Sequence, residues 1–536
     1  MVRDERLTNQ STDRGEEFLH LLVVTRFSDP DIYEMCCGHR DQINSSGVAC
    51  DEDPATVSAR DDDIMIPATH GRGARRMTRR RVVGPLVVLA TTVAACSSNP
   101  GGGARPTPAV TDATTSSAAS VNPGSSPRAA TVFVGRIVTL AEPGEVEAIA
   151  IGDGEVIATG DVATVMAAAG ANPHVIELGD NVLYPGFVDA HSHWIGDRLE
   201  MGLDEPPEAI DAALERGWTS IAELFVNQER MSELRALDAA GELRVRVDGY
   251  LAMNNPAPGG EHLGDWYVDF EAGFAPSDRL RFPGVKFTID NGWGSMFWWD
   301  AAELEMAVAA AHAAGWQIAI HTVSTEAHEM VLDAYEAALA GKPNDHRHRI
   351  EHAIQVTDDQ LQRIVDLDLV TVVHLAGSAS DFVLEDDYLG HLAEPGEDTA
   401  WLTRWRDFVD AGISVAAGVD APWLFRDLAL QPGVGTPMDF VAGAMDGVGH
   451  INPNPPKWVV HQTLTARQAL EVLAHNADAV GDSQHRGRLV PGSFADITIL
   501  SGDITAGTPA AIRQLQVVAT IVGGSAEFCA DPAICP

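Results

Sequence analysis

The sequence predicts an α/β chain: a (β/α)8 barrel of the TIM type, joined to a small composite β-sandwich domain built from both ends of the mature chain. Three observations predict it. Eight branched, apolar runs mostly alternate with helical patterns between residues 184 and 455, the order a parallel barrel requires. Short strand-like runs separated by turn glycines flank that region, at 131–183 and 456–525. Side chains able to bind metal close five of the eight runs, and barrels carry their reactive groups at strand C-termini.

Size and charge narrow the function. At 536 residues the chain exceeds one ordinary domain, though a large barrel fills much of that length. A net charge of −41 excludes a nucleic-acid partner, which would need a surplus of Lys and Arg. Acidity of this kind keeps an exported surface soluble. Lysine occurs only at Lys286, Lys342 and Lys457, so a lysine inside an apolar strand calls for a chemical reason.

Residues 1–76 show no sustained periodicity, and Cys36, Cys37 and Cys50 lack metal spacing. Then Met77-Thr78-Arg79-Arg80-Arg81 precedes an apolar run over 82–95 that ends in Val93-Ala94-Ala95-Cys96. This is a basic n-region, a core too short for a stable span, and small residues before a cleavage point. The ending resembles a bacterial lipobox. It predicts a signal peptide over 77–96, lipidation at Cys96 and anchoring to the outer face of a membrane. An ordinary cleaved signal, giving a periplasmic or extracellular protein, is the plainer alternative, and the arginines leave twin-arginine export open. A signal this far inside makes 1–76 an expected mis-assigned extension. Residues 97–130, rich in Ser, Gly, Pro, Thr and Ala, read as a flexible tether.

Residues 131–140 alternate as a strand, and 146–151 and 155–159 follow around the turn Gly152-Asp153-Gly154. After a short run at 175–178 comes Tyr184-Pro185-Gly186-Phe187-Val188-Asp189-Ala190-His191-Ser192-His193, the first barrel strand. The next seven are expected at 218–225, 243–252, 284–290, 316–321, 347–352, 370–375 and 413–420. Helices are predicted at 207–216, 229–240, 301–314, 325–340, 358–366 and 402–411. Beyond 455, a short helix at 465–475 and strands near 487–489, 496–500 and 517–522 return the chain to the β-domain, leaving a tail at 526–536. Cys529 and Cys535 in that tail read as a disulfide outside the cytoplasm.

Residues i and i+2 of a strand share a face, so His191 and His193 can reach one point. Neutral imidazole there suits zinc or a similar ion. The remaining strand ends carry Lys286, His321, His352 and Asp420. Any one of them alone reads equally well as a satisfied rim residue. Lys286 could instead pair with Asp290.

The set PGFVDAHSH, GVKF, AIHTVSTEA, RHRIEHA and GVDAPW resembles the amidohydrolase superfamily, in its amidohydrolase-3, YtcJ-like branch of formamide-deformylase-like enzymes, over roughly 131–525. The resemblance implies two divalent ions, zinc being expected. His191, His193 and Asp420 would hold one and His321 and His352 the other, with Lys286 bridging both. An ammonium has no lone pair, so the family's lysine ligates as a carbamate formed with CO2. The implied reaction is hydrolysis of a C–N amide-type bond in a small linear or cyclic substrate by a metal-bridging hydroxide, with Asp420 as catalytic base and then acid. His374 and Arg349 are candidates to touch substrate or oxyanion. Trp293, with Phe297, Trp298 and Trp299, forms either a pocket wall or loop packing. The segment 194–285 is shorter than usual in that branch, which separates its pocket from the family's.

Two other readings compete. The same centre suits lactones, esters or phosphoesters, and a non-catalytic solute-binding lipoprotein would explain export but not the six strand-end residues. A Ser-His-Asp hydrolase lacks its G-x-S-x-G elbow. The expected partner is a small molecule, and a homodimer is left open.

Overall fold

A computed structural model describes residues 130–256, 260–291, 294–374, 379–381, 399–424 and 428–536. The expected signal peptide with Cys96, the residues before it, the tether up to 129, and Trp293 lie outside the described residues. No helix among the described residues is long and apolar enough to cross a membrane.

Eight parallel strands form the barrel: β5 (Phe187–Ser192), β6 (Trp218–Val226), β7 (Arg246–Ala252), β8 (Leu280–Thr288), β9 (Gln317–Thr322), β10 (Arg349–His352), β11 (Val370–Val373) and β12 (Ser414–Ala417). They pair in chain order. A second, seven-stranded mixed sheet takes β1 (Thr131–Val138), β2 (Glu145–Gly152), β3 (Glu155–Gly160) and β4 (His174–Pro185) from the front of the folded part. From its end come β13 (Ile497–Leu500), β14 (Val517–Val522) and β15 (Ser525–Cys529). Its own core includes Phe133, Ile149, Leu183, Ile497 and Ile521.

The joint is Gly186, between β4 and β5. Its N–H donates to the Asp496 carbonyl at 2.7 Å. A Cβ there would meet Thr219 Oγ1 at 2.2 Å, so no larger residue fits this crossing. Arg246 of β7 grips Asp496 through Nε and Nη2 at 2.6 and 3.0 Å, a buried two-pronged pair joining barrel to sheet.

β5 and β12 close the barrel without a backbone ladder, and side chains stitch this seam. The Asn476 amide donates to the Val188 carbonyl at 2.6 Å and the Ala417 carbonyl at 2.7 Å, and accepts from Ala417 N at 2.7 Å. Asp189 Oδ1 accepts from Val419 N at 3.0 Å. Main-chain bonds then resume, Asp420 N to His191 O at 2.8 Å and His193 N to Ala421 O at 2.9 Å. That register sets Asp420 beside both histidines.

Asn476 belongs to the helix Ala466–Ala479, opened by a Thr465–Gln468 capping box. The helix is longer than predicted and packs on the barrel, not on the β-domain assigned to it. Ala477, Ala479 and Val480 join the inner-barrel clusters with Val188, Ala222, Tyr250, Ala319 and Ala416. Gln317, at the start of β9, donates to the Ala479 carbonyl at 2.9 Å. The helix end therefore plugs the N-terminal end of the barrel, its small residues packed among those of the strands. The expected tail is also structured: β15 forms a sheet edge, Cys529 is bonded to Cys535, and Ile534 is buried in the sheet's core.

Candidate metal centre

The β5–β6 register shifts between Asp189 and Ser192, so the first barrel strand is not a regular one where its histidines emerge. They nevertheless converge. His191 Nε2 lies 3.4 Å and His193 Nε2 3.3 Å from Asp420 Oδ1. These three offer ligand atoms all within 4.8 Å of one another, and so do His191, His352 and His374. The His321 and His352 rings lie 4.2 Å apart between centroids. His352 and Asp420 adopt φ of +70° and +48°, left-handed conformations that are costly outside glycine, by about 1–3 kcal/mol each. Strain of this kind gathers where side chains must be aimed.

Lys286, on β8, is 5% exposed, and its Nζ has no hydrogen-bond partner. Burial pushes its ammonium down to about 8, against the pull of Glu351 and Asp420. Pairing with Asp290 is not what the structure shows. The Asp290 carboxylate instead accepts from Val323 N, Ser324 N and Ser324 Oγ, and its Oδ1 lies 3.8 Å from His321 Nε2. Burial also pushes His321 and His352 well below the ordinary value and His374 down to about 4, so all three rings are neutral near pH 7. Burial alone would raise the Asp420 carboxyl, but the His191 and His193 rings that face it outweigh burial and hold it well below the usual range. The donor set is therefore neutral imidazole, an ionised carboxylate and an amine on the verge of neutrality. Lys286 Nζ, His321 Nε2 and His193 Nδ1 are buried and unpartnered, as groups awaiting a cation would be. These residues fit a divalent metal.

Two expected substrate contacts are placed differently. Arg349 is fully buried beneath the histidines, its guanidinium spent on Glu351, Ala190 O, Tyr250 and Ala479 O, so it reaches no substrate. His374 is 5% exposed, bonds the Gly418 carbonyl through Nδ1 at 3.1 Å and sets Nε2 against His352 Nδ1, which places it within the ligand cluster. Trp299 stacks on His262 at 3.9 Å and packs against Phe287, which is loop packing.

Three carboxylates around the centre carry no role in the sequence reading, and a fourth, Asp290, has one only as a partner for Lys286. Glu351 Oε2 lies 2.5 Å from His191 Nδ1. Asp189, raised to about 7 by burial, accepts from Trp194 Nε1 at 3.0 Å besides Val419 N. Glu223 holds Ile195 N and Gly196 N at 2.7 and 3.1 Å, fixing the turn after His193. Asp290 braces the turn after His321. The available signal was an acid inside an apolar strand, which must be paired if buried.

The model of the amidohydrolase family matches residues 208–526, more than half of the chain. The chain belongs to the amidohydrolase family. It is 28% identical over 365 residues to the N-substituted formamide deformylase of Arthrobacter pascens, covering 63% of each chain. It is also 26% identical over 219 residues to YtcJ of Bacillus subtilis (strain 168), 40% of this chain and 38% of that one. The matched stretches thus span between 38% and 63% of these relatives' lengths. An uncharacterized metal-dependent hydrolase from Pyrococcus horikoshii OT3 superposes with a TM-score of 0.58 at 19% identity, over 71% of this chain and 99% of that one. At that identity the likeness shows the fold. Family membership thus rests on the family model, and the histidine clusters set side chains able to hold a metal ion at the strand ends of that fold.

Proposed function

We propose that this amidohydrolase is binuclear and hydrolyses a C–N bond of amide type in a small linear or cyclic substrate. The observation that carries the reading is the buried, unpartnered Nζ of Lys286 on the strand next to His321, facing a centre already rich in neutral imidazole. Its low-dielectric surroundings favour the neutral amine, the form that takes up CO2 to become a carbamate. His191, His193 and Asp420 would hold one ion, His321 and His352 the other, and carboxylated Lys286 both; zinc suits this nitrogen-and-oxygen set. When bound, such ions acidify water and polarise a carbonyl. Asp420 contributes the proton transfers: ionised at neutral pH, its carboxylate takes a proton from the attacking water and delivers it to the departing nitrogen. The rim residues Glu223 and Asp290 hold their turns rigid, which keeps the histidines aimed. The Arthrobacter pascens relative, named for N-substituted formamides, supports an amide substrate.

The test is a screen of formamides, N-acyl amino acids, cyclic amides and lactones with protein expressed in metal-supplemented medium, alongside elemental analysis. Two ions per chain and turnover of a C–N substrate are expected. Fewer than one ion per chain favours a binding protein, and turnover of lactones alone overturns the amide assignment. We also propose that the protein works outside the cytoplasm, anchored through Cys96. The bonded Cys529–Cys535 pair supports export, because disulfides persist in oxidising compartments. Fractionation of a Cys96→Ala variant tests it: the variant should leave the membrane fraction, and one that stays there refutes the anchor.

A further inference from the structure

We infer that Glu351, clamped by Arg349, is the positioning residue that fixes which nitrogen of His191 is offered to metal, and that this clamp is anchored on the helix plugging the barrel. The inference rests on the binuclear reading above.

His191 is 1% exposed and Glu351 fully buried, so both are shielded from bulk solvent. Glu351 Oε2 stands 2.5 Å from Nδ1, while the opposite ring nitrogen, Nε2, faces Asp420 at 3.4 Å. A carboxylate in a two-pronged bond to arginine can only accept, so Nδ1 must carry the hydrogen, and the neutral ring that a metal needs then holds its lone pair at Nε2. The prongs are Arg349 Nη2 to Glu351 Oε2 at 2.8 Å and Nε to Oε1 at 2.5 Å.

Arg349 in turn has no freedom. Its Nη2 also donates to the carbonyl of Ala190, the residue before His191, at 2.6 Å. Nη1 donates to the Tyr250 hydroxyl at 3.1 Å and to the Ala479 carbonyl at 3.4 Å. Tyr250 donates to Gln317 Oε1 at 2.6 Å, and Gln317 donates to the same Ala479 carbonyl. One ring is thus aimed by β5, β7, β9, β10 and the helix Ala466–Ala479 together. His193 has no such support. Its Nδ1 stands 3.5 Å from Asp197 without a hydrogen bond. The H-x-H pair is therefore asymmetric, His191 pre-set and His193 free to adjust, and loss of Glu351 should weaken the ion held by His191 first.

Glu351→Gln keeps the volume and removes the charge. Metal-loaded wild type and variant are dialysed against graded chelator and their ion content measured; cobalt-substituted forms are compared by visible absorption, and metal-free forms by thermal unfolding. The expected result is a 10–100-fold weaker affinity for one of two ions, an altered cobalt spectrum, and partial recovery in Glu351→Asp. Should Glu351→Gln not fold, the double variant Arg349→Met with Glu351→Leu removes the pair without stranding a charge. It should show the same selective loss. Either variant holding both ions at wild-type affinity with an unchanged cobalt spectrum overturns the inference. So does a uniform loss of both ions that merely follows a fall in metal-free stability. A wild type that binds no divalent ion overturns the binuclear reading and this inference with it, whereas a wild type binding two leaves the variants to decide the inference alone.

Discussion

Replacing Asn476 by leucine removes the only side chain that bonds the backbones of both β5 and β12 among the described residues. The wild-type amide satisfies two carbonyls and one N–H, at 2.6, 2.7 and 2.7 Å, in a fully buried position. Leucine has nearly the same volume, so little cavity arises, and the loss is one of polar satisfaction. Each stranded buried group costs about 1–3 kcal/mol, so three of them give roughly 3–6 kcal/mol after partial relaxation. That is a large share of the ~5–15 kcal/mol that holds a domain together. Urea unfolding of Asn476→Leu, followed by tryptophan fluorescence, should show the midpoint falling sharply. The seam also sets the register of Asp420 against His191, so metal affinity should fall at temperatures where the variant is still folded. A loss below about 1 kcal/mol with unchanged metal binding would show that the seam is held elsewhere.

Other expectations are as direct. Lys286→Ala should bind fewer than two ions per chain whatever the bicarbonate concentration. In wild type, bicarbonate at pH 8 should raise occupancy, since a group brought down to about 8 is neutral roughly a hundredfold more often there than an exposed lysine. Asp420→Asn should lower kcat about 10²–10⁴-fold, measured under saturating substrate, and a loss below tenfold would take the proton transfers away from it. His348, pushed down to about 3 by burial with His312 and His346 alongside, stays neutral in the fold while an unfolded histidine titrates near 6.5. Above 6.5 neither state binds the proton. Below it only the unfolded chain does, so stability falls with falling pH, by about 2 kcal/mol between pH 6.5 and 5. Denaturant midpoints of wild type and His348→Gln across that range check it: the variant's slope should be shallower, and an identical slope removes His348 from the account.

Much of the architecture was legible because it rests on period and order. Runs such as Trp218–Val226 and Gln317–Thr322 are mostly buried on both faces, as strands between an inner core and outer helices must be. The helix Ala466–Ala479 was seen but given to the wrong neighbour. Its pattern declares an apolar face without saying which surface receives it. The distance from Asn476 to Val188 is 2.6 Å across 288 residues of chain, and no local signal encodes such a contact.

The same division runs through the site. Strand-end chemistry by itself singled out His191, His193, Lys286, His321, His352 and Asp420 as candidates, because residue type and position after an apolar run are local properties. Only the tertiary structure decided that Arg349 turns inward, that His374 stands within the ligand cluster, and that Glu351 aims His191. A buried charge is placed by whatever partner folding brings to it. Here those partners come from distant strands and from a helix more than a hundred residues downstream.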